Sequence, residues 1–182
     1  DDRSRTRADR VSPSIHASGR EYDRRPVLVG RREELRQIGG LPAAVKRGQL
    51  VVMPTDTVYG LGADAFSATA VADLLVAKGR GRGMPVPVLV GSPSTLAGIA
   101  TGLSSAADDL VQAFWPGGLT IVAHQQASLT WDLGETGGTV AVRMPLHPVA
   151  IEVLRLTGPM GVSSANRSGQ PPARTAADAR EQ

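Results

Sequence analysis

Apolar residues in this chain fall into short runs, each stopped by glycine, proline or a cluster of hydroxyls. Runs at 50–53, 86–90, 119–123, 139–144 and 160–162 have the length and aliphatic character of buried strands. Pro87 lies inside the second of these and predicts an edge or irregular position for it. Between the runs, apolar positions recur at helical spacing. A helix is expected over 33–47, ending at Gly48. A second runs from an N-cap at Ser67 through Lys78, with Val71, Leu74 and Leu75 on one face and Gly79 as its terminator. A third follows Ser104 to Phe114, turning Leu110, Val111 and Phe114 inward, and is broken by Trp115-Pro116-Gly117-Gly118. Pro148 suits the start of a helix to about Leu156, burying Ile151 and Leu154. Thr175 caps a last helix. Strands alternating with helices predict a single α/β domain with a largely covered sheet.

Composition narrows this. A chain of 182 residues supports one domain with a real core. With aromatics at 3%, 21 glycines and 13 prolines, that core must be aliphatic and its turns sharp. No apolar run approaches the ~20 residues needed to span a bilayer, no signal-peptide core is seen near the start, and the absence of cysteine excludes disulfides and thiolate metal sites. The expected class is a cytoplasmic enzyme or binding protein. The net charge of +3 is local: positions 1–36 hold ten arginines against seven acidic residues, whereas 37–182 hold ten basic and ten acidic residues. Positions 1–30 lack apolar periodicity and read as a disordered Arg-rich arm, with an RNA-contacting arm as the alternative. Within the body no acidic residue lies between Asp73 and Asp108, so Lys78, Arg80 and Arg82 form a patch suited to phosphate or carboxylate ligands.

Familiar sites are missing. Lys46 and Lys78 lack the glycine pattern of a phosphate-binding P-loop, and Gly60-Leu61-Gly62 is followed by Ala65 where a dinucleotide fingerprint needs glycine. His16, His124 and His147 share no metal-ligand spacing. Four clusters remain. Thr55-Asp56-Thr57 follows the strand at 50–53, where turn chemistry alone would also place such residues. Lys78-Gly79-Arg80-Gly81-Arg82-Gly83 interleaves cations with glycines that let backbone approach a ligand. Arg143 ends an apolar strand and must pair with a carboxylate or a ligand. Ser163-Ser164-Ala165-Asn166 supplies hydroxyl and amide donors after the last strand. At strand ends of one α/β sheet these clusters predict a shared anion-binding crevice.

On these residues the sequence resembles the YrdC-like family of L-threonylcarbamoyladenylate synthases, the short form and actinobacterial members in particular. The matching motifs are Pro54 to Leu61, Lys78-Gly79-Arg80, Trp115 to Thr120, Val142-Arg143-Met144-Pro145 and Ser164-Ala165-Asn166, in the family's order over roughly 35–178. The resemblance implies a YrdC-like open twisted mixed sheet flanked by helices over 31–182. It implies formation of threonylcarbamoyl-AMP and pyrophosphate from L-threonine, bicarbonate or CO2, and ATP, for t6A37 modification of tRNA by a partner transferase complex. It assigns L-threonine to Thr57, Arg143 and Ser164, ATP to Lys78, Arg80, Thr139, Asn166 and Arg174, and positioning roles to Thr55 and Asp56. Lys78 and Arg80 are the residues expected to act in catalysis. Mg2+ is expected with the triphosphate and no dedicated metal cage. Gly81, Met84 and Gly118 depart from the family pattern, and Arg174 stands where a threonine is common. Family members continue past the position of Gln182, so a domain truncated at its C-terminus is expected. Alternatives are a double-stranded RNA or tRNA-binding module of the same fold and a carbamoyl-adenylate-forming domain of the hydrogenase-maturation type.

Overall fold

A computed structural model of the chain describes residues 27–28 and 38–182. Eight strands form one mixed sheet: β1 Val27–Leu28, β2 Val51–Met53, β3 Gly60–Asp64, β4 Val88–Leu89, β5 Ala100–Thr101, β6 Ile121–Gln125, β7 Thr139–Arg143 and β8 Met160–Ser164, in the spatial order β1-β2-β3-β8-β4-β7-β6-β5. Among the described residues only β1/β2 and β4/β7 pair in parallel. The same residues include six α-helices: α1 Leu41–Lys46, α2 Ala68–Ala77, α3 Thr95–Ile99, α4 Ser105–Phe114, α5 Pro148–Thr157 and α6 Ala176–Glu181.

The sheet is covered on both faces over β2, β3, β4 and β8, while β6 leaves Val122 67% exposed. On one side Leu61, Ala63, Val88, Val140 and Val142 meet Val71 and Leu74 of α2, Leu96 and Ile99 of α3 and Val111 of α4. On the other, Val51, Met53, Leu89, Met160 and Val162 meet Leu41 and Val45 of α1 and Val149, Val153 and Leu154 of α5. The α/β expectation holds, with differences that have physical reasons. β4 lies in the interior, between β8 and β7, despite Pro87. Pro87 precedes the strand and contributes only its carbonyl, which accepts from the Val162 N–H at 2.9 Å, so its missing donor costs nothing. In α4 only Val111 is buried, while Leu110 and Phe114 remain 42% and 56% exposed. Val27–Leu28, within the arm expected to be disordered, pairs with Val51 and Val52. The rest of that arm and the start of the helix expected at 33–47 lie outside the described residues.

Gly60-Leu61-Gly62 is a central strand. Its two glycines face the α1/α5 side, between Met53 and Val51 on β2 and Ser164 and Val162 on β8. A Cβ at Gly60 would lie 2.6 Å from Cγ1 of Val162, and one at Gly62 would lie 3.0 Å from the Met160 methyl. The large neighbours therefore fill the space the glycines leave.

That packing yields a double-mutant prediction. Gly60→Ala should cost about 1–3 kcal/mol through overpacking. Combined with Val162→Ala, the pair should cost at least ~0.5 kcal/mol less than the sum of the single variants, as contacting sites couple. Urea unfolding of the four proteins measures this, and strict additivity would contradict the contact.

Candidate functional site

The site begins at the C-terminus of α2. Ser67 caps the other end, accepting from the Ala70 N–H, and the helix runs to Ala77 with Lys78 as its C-cap. The Gly79 N–H bonds the Val76 carbonyl and the Arg80 N–H bonds the Leu75 carbonyl, both at 2.9 Å, with Gly79 at φ +58°. This is a Schellman ending, which needs a left-handed residue at the position of Gly79. Lack of space is not the reason for glycine here, since a Cβ at 79 or 81 would meet nothing within 4 Å. The K-G-R spacing thus places one cation on each side of a helix stop.

Lys78 turns inward and is 3% exposed. Its Nζ donates to the Ser164 carbonyl at 2.7 Å, to the Asn166 carbonyl, and to Asn166 Oδ1 at 3.2 Å. All three of its donors are therefore spent on the loop after β8. Ser168 returns the contact, its hydroxyl donating to the Lys78 carbonyl at 2.5 Å. Burial, followed by the neighbouring Arg80 charge, lowers the Lys78 pKa below its usual value. Arg80 is half-buried and donates from Nη1 to Ser163 Oγ at 3.3 Å.

A second cluster forms around Arg143. Its Nε donates to the Gly117 carbonyl at 2.9 Å, Nη1 to Thr57 Oγ1 at 3.3 Å and Nη2 to Asp56 Oδ1 at 2.5 Å. The Trp115–Gly118 turn presents that carbonyl: the Trp115–Pro116 bond is cis, the Trp115 indole N–H is held by the Leu119 carbonyl at 2.8 Å, and the Gly117 N–H by the Met144 carbonyl at 2.8 Å. Thr55 organises the opposing loop. Its Oγ1 donates to the Val58 carbonyl at 2.6 Å and accepts from the N–H groups of Thr57 and Val58 at 3.2 Å.

The 54–59 loop joins the two clusters. At its far end the Tyr59 carbonyl accepts from the Ala165 N–H at 2.7 Å, and the Tyr59 N–H donates to the Ala173 carbonyl at 2.8 Å. That last bond brings the segment carrying exposed Arg174 alongside. The expected single row of strand ends is not what the register gives. Leu89 pairs with both Arg143 and Met160, so the Arg143 backbone is level with the start of β8, away from Ser164. Thr139 begins β7, towards the Ser164 end of the sheet, and its hydroxyl donates to the Thr136 carbonyl at 2.8 Å. Among the described residues no hydrogen bond joins its side chain to another predicted site residue.

Two participants escape sequence reading. Ser168 carries no recognisable spacing. Asp132 chelates Arg82 with both oxygens at 2.9 Å, drawing its carboxyl below the usual range. This pins the loop after Arg80 to the 129–136 segment, where Gly134 at φ +104° would place a Cβ 2.7 Å from the Arg82 carbonyl. Among the described residues no group of three or more His, Cys, Asp or Glu could hold a metal ion, and no helix is long and apolar enough to cross a membrane.

The family model Sua5_yciO_yrdC, described as telomere recombination, matches residues 43–182. The chain belongs to the Sua5/YciO/YrdC family. A Mycobacterium tuberculosis relative named as a candidate threonylcarbamoyl-AMP synthase is 63% identical over 139 residues, covering 76% of this chain and 64% of the relative. The chain thus spans just under two thirds of that relative's length. Among solved Sua5/YciO/YrdC structures, the H234A/Y235A variant of Pyrococcus abyssi Sua5 superposes with a TM-score of 0.80 at 34% identity, over 87% of this chain and 47% of that one. P. abyssi Sua5 complexed with L-threonine superposes with a TM-score of 0.78 at 36% identity, over 86% and 46%.

Removing the Lys78 ammonium should take the buried donor from both Asn166 oxygens, while the Ser164 carbonyl keeps the Asn166 N–H at 3.0 Å. Lys78→Ala is expected to lose about 2–4 kcal/mol in urea unfolding, whereas exposed Arg174→Ala should stay within ~0.5 kcal/mol. Similar small losses in both would show that the buried contact is not formed in solution.

Proposed function

We propose that this chain carries out threonylcarbamoyl-AMP synthesis, joining L-threonine, bicarbonate or CO2, and ATP with release of pyrophosphate. The observation that carries the proposal is the division of the site into a carboxylate-reading guanidinium and an unneutralised cationic corner, joined by one loop. Arg143 is suited to the threonine carboxylate, with Thr57 beside it, while Ser164 ends β8 on the other side of β4 and is linked to Arg143 through the 54–59 loop. Arg80 has guanidinium donors to spare for phosphate oxygens, and Lys78 holds the Ser164–Asn166 wall from behind. Thr139, Asn166 and the segment bearing Arg174 complete the nucleotide side. The threonine complex of the P. abyssi relative and the name of the mycobacterial relative support the same assignment.

The chemistry suits these residues. The amine attacks CO2 to give a carbamate, and the carbamate oxygen attacks the α-phosphorus while pyrophosphate leaves. Negative charge gathers at both steps, so positioning and fixed positive charge are the contributions required of the protein. Asp56 is engaged with Arg143 and Asp132 with Arg82, so Mg2+ would arrive on the triphosphate. The product would be passed to a cytoplasmic transferase complex acting on tRNA adenosine 37.

Threonine- and bicarbonate-dependent release of pyrophosphate from ATP tests the proposal. Arg143→Ala should raise KM for threonine by about tenfold to a hundredfold, the worth of a charge-assisted hydrogen bond, with KM for ATP changed less than ~3-fold. Arg80→Ala should show the reverse bias. No turnover together with RNA affinity that falls steeply with salt would favour the RNA-binding alternative.

A further inference from the structure

The geometry points to Asp56 and Arg143 as a zwitterion clamp, in which Arg143 takes the α-carboxylate of the amino-acid substrate and Asp56 takes its α-ammonium. This inference rests on reading the Arg143 pocket as the threonine site. It assigns Asp56 a direct contact with the ligand.

Asp56 lies in a turn, where aspartate ordinarily bonds its own backbone. Here Thr55 does that work through Oγ1. The Asp56 carboxylate makes no bond to the turn, and its sole hydrogen-bond partner among the described residues is Arg143. The turn itself therefore requires no carboxylate at this position.

The valences left over are complementary to an amino acid. A guanidinium carries five N–H donors. The protein takes one from each nitrogen of Arg143, for Gly117, Thr57 and Asp56. One N–H on each terminal nitrogen remains for the oxygens of a ligand carboxylate. Asp56 gives Oδ1 to Arg143, and Oδ2 has no hydrogen bond among the described residues. The two side chains are 15% and 18% exposed, which leaves them reachable yet weakly screened.

Selectivity follows from the signs of the charges. A ligand with a carboxylate alone approaches a guanidinium already neutralised and meets repulsion from Asp56. An ammonium on the adjacent carbon turns that repulsion into attraction. The dyad thus favours an α-amino acid over the corresponding α-hydroxy acid, a choice that Arg143 alone would not make.

Calorimetric titration of the wild type and of Asp56→Asn tests this, with L-threonine and with 2,3-dihydroxybutanoate, its analogue lacking the amine. The wild type should bind threonine at least ~10-fold more tightly than the analogue, as expected for loss of a charge-assisted contact. Asp56→Asn should weaken threonine by a similar factor and leave the analogue unchanged or tighter. Asp56→Ser serves as a second charge-removing variant, and urea midpoints establish that the variants fold. Equal weakening of both ligands would mean that Asp56 merely orients Arg143, and unchanged threonine affinity would mean that it does not touch the ammonium; either overturns the clamp. A wild type that binds no threonine overturns the pocket reading and the clamp with it.

Discussion

One buried ammonium ties the crevice together. Lys78 leaves α2 at its last turn, where the helix dipole favours a cation, and enters a space that excludes water almost completely. A lone charge there would cost several kcal/mol. It is tolerated because two carbonyls and an amide oxygen from the loop after β8 surround it. The bond therefore constrains both partners. The lysine cannot leave without stranding a charge, and the loop cannot shift without breaking its three hydrogen bonds to the ammonium. Because Ala165 is hydrogen-bonded to Tyr59, the same restraint passes to the 54–59 loop and, through Thr57 and Asp56, to Arg143.

The sheet explains why this restraint is needed. Its site-bearing segments come from α2, the β2–β3 loop, the end of β7 and the end of β8, and the register leaves Arg143 and Ser164 at different levels. Strand ends alone would not align them. The 54–59 loop spans the gap, and Thr55 stiffens it by closing the turn with one hydroxyl. Asp132 does comparable work on the other flank, where its paired bonds to exposed Arg82 hold the loop following Arg80. Such an exposed pair adds little to stability, so its effect is on loop position.

Much of this could be read in the sequence, and the failures have definite causes. Ser67, Ser104 and Thr175 announce helix starts because N-capping is local chemistry. Gly79 is visible as a terminator, although not as the device that turns Lys78 inward and frees Arg80. β3 is hidden because two of its five residues are glycines, whose reason lies on β8 in the bulk of Val162 and Met160. Pro87 misleads because the lack of a donor matters only where the ladder needs one. Phe114 and Leu110 misleads in the opposite way: helical spacing selects a face without saying that the face is covered. The site clusters were visible as residue types out of place. Which cation is buried, which is open and which is paired depends on contacts between residues far apart in the chain.

The pairing of charges supports the proposal that the two ends of the 54–59 loop take different ligands. Arg143 and Arg82 each have an aspartate partner, Asp56 and Asp132. Lys78 and Arg80 have none among the described residues: their partners are carbonyls, an amide and a hydroxyl, and Arg80 depresses the Lys78 pKa by repulsion. Dipoles can solvate such a corner without neutralising it. On the proposed function a triphosphate would bring the missing negative charge, and each anionic oxygen placed beside Arg80 would also relieve its repulsion with Lys78. At Arg143 an incoming anion must instead share a guanidinium that already has a carboxylate. A simple anion gains least there, and a ligand carrying its own positive charge gains most. On the proposed function, the placement of two aspartates would direct phosphate to one end of the 54–59 loop and an amino acid to the other.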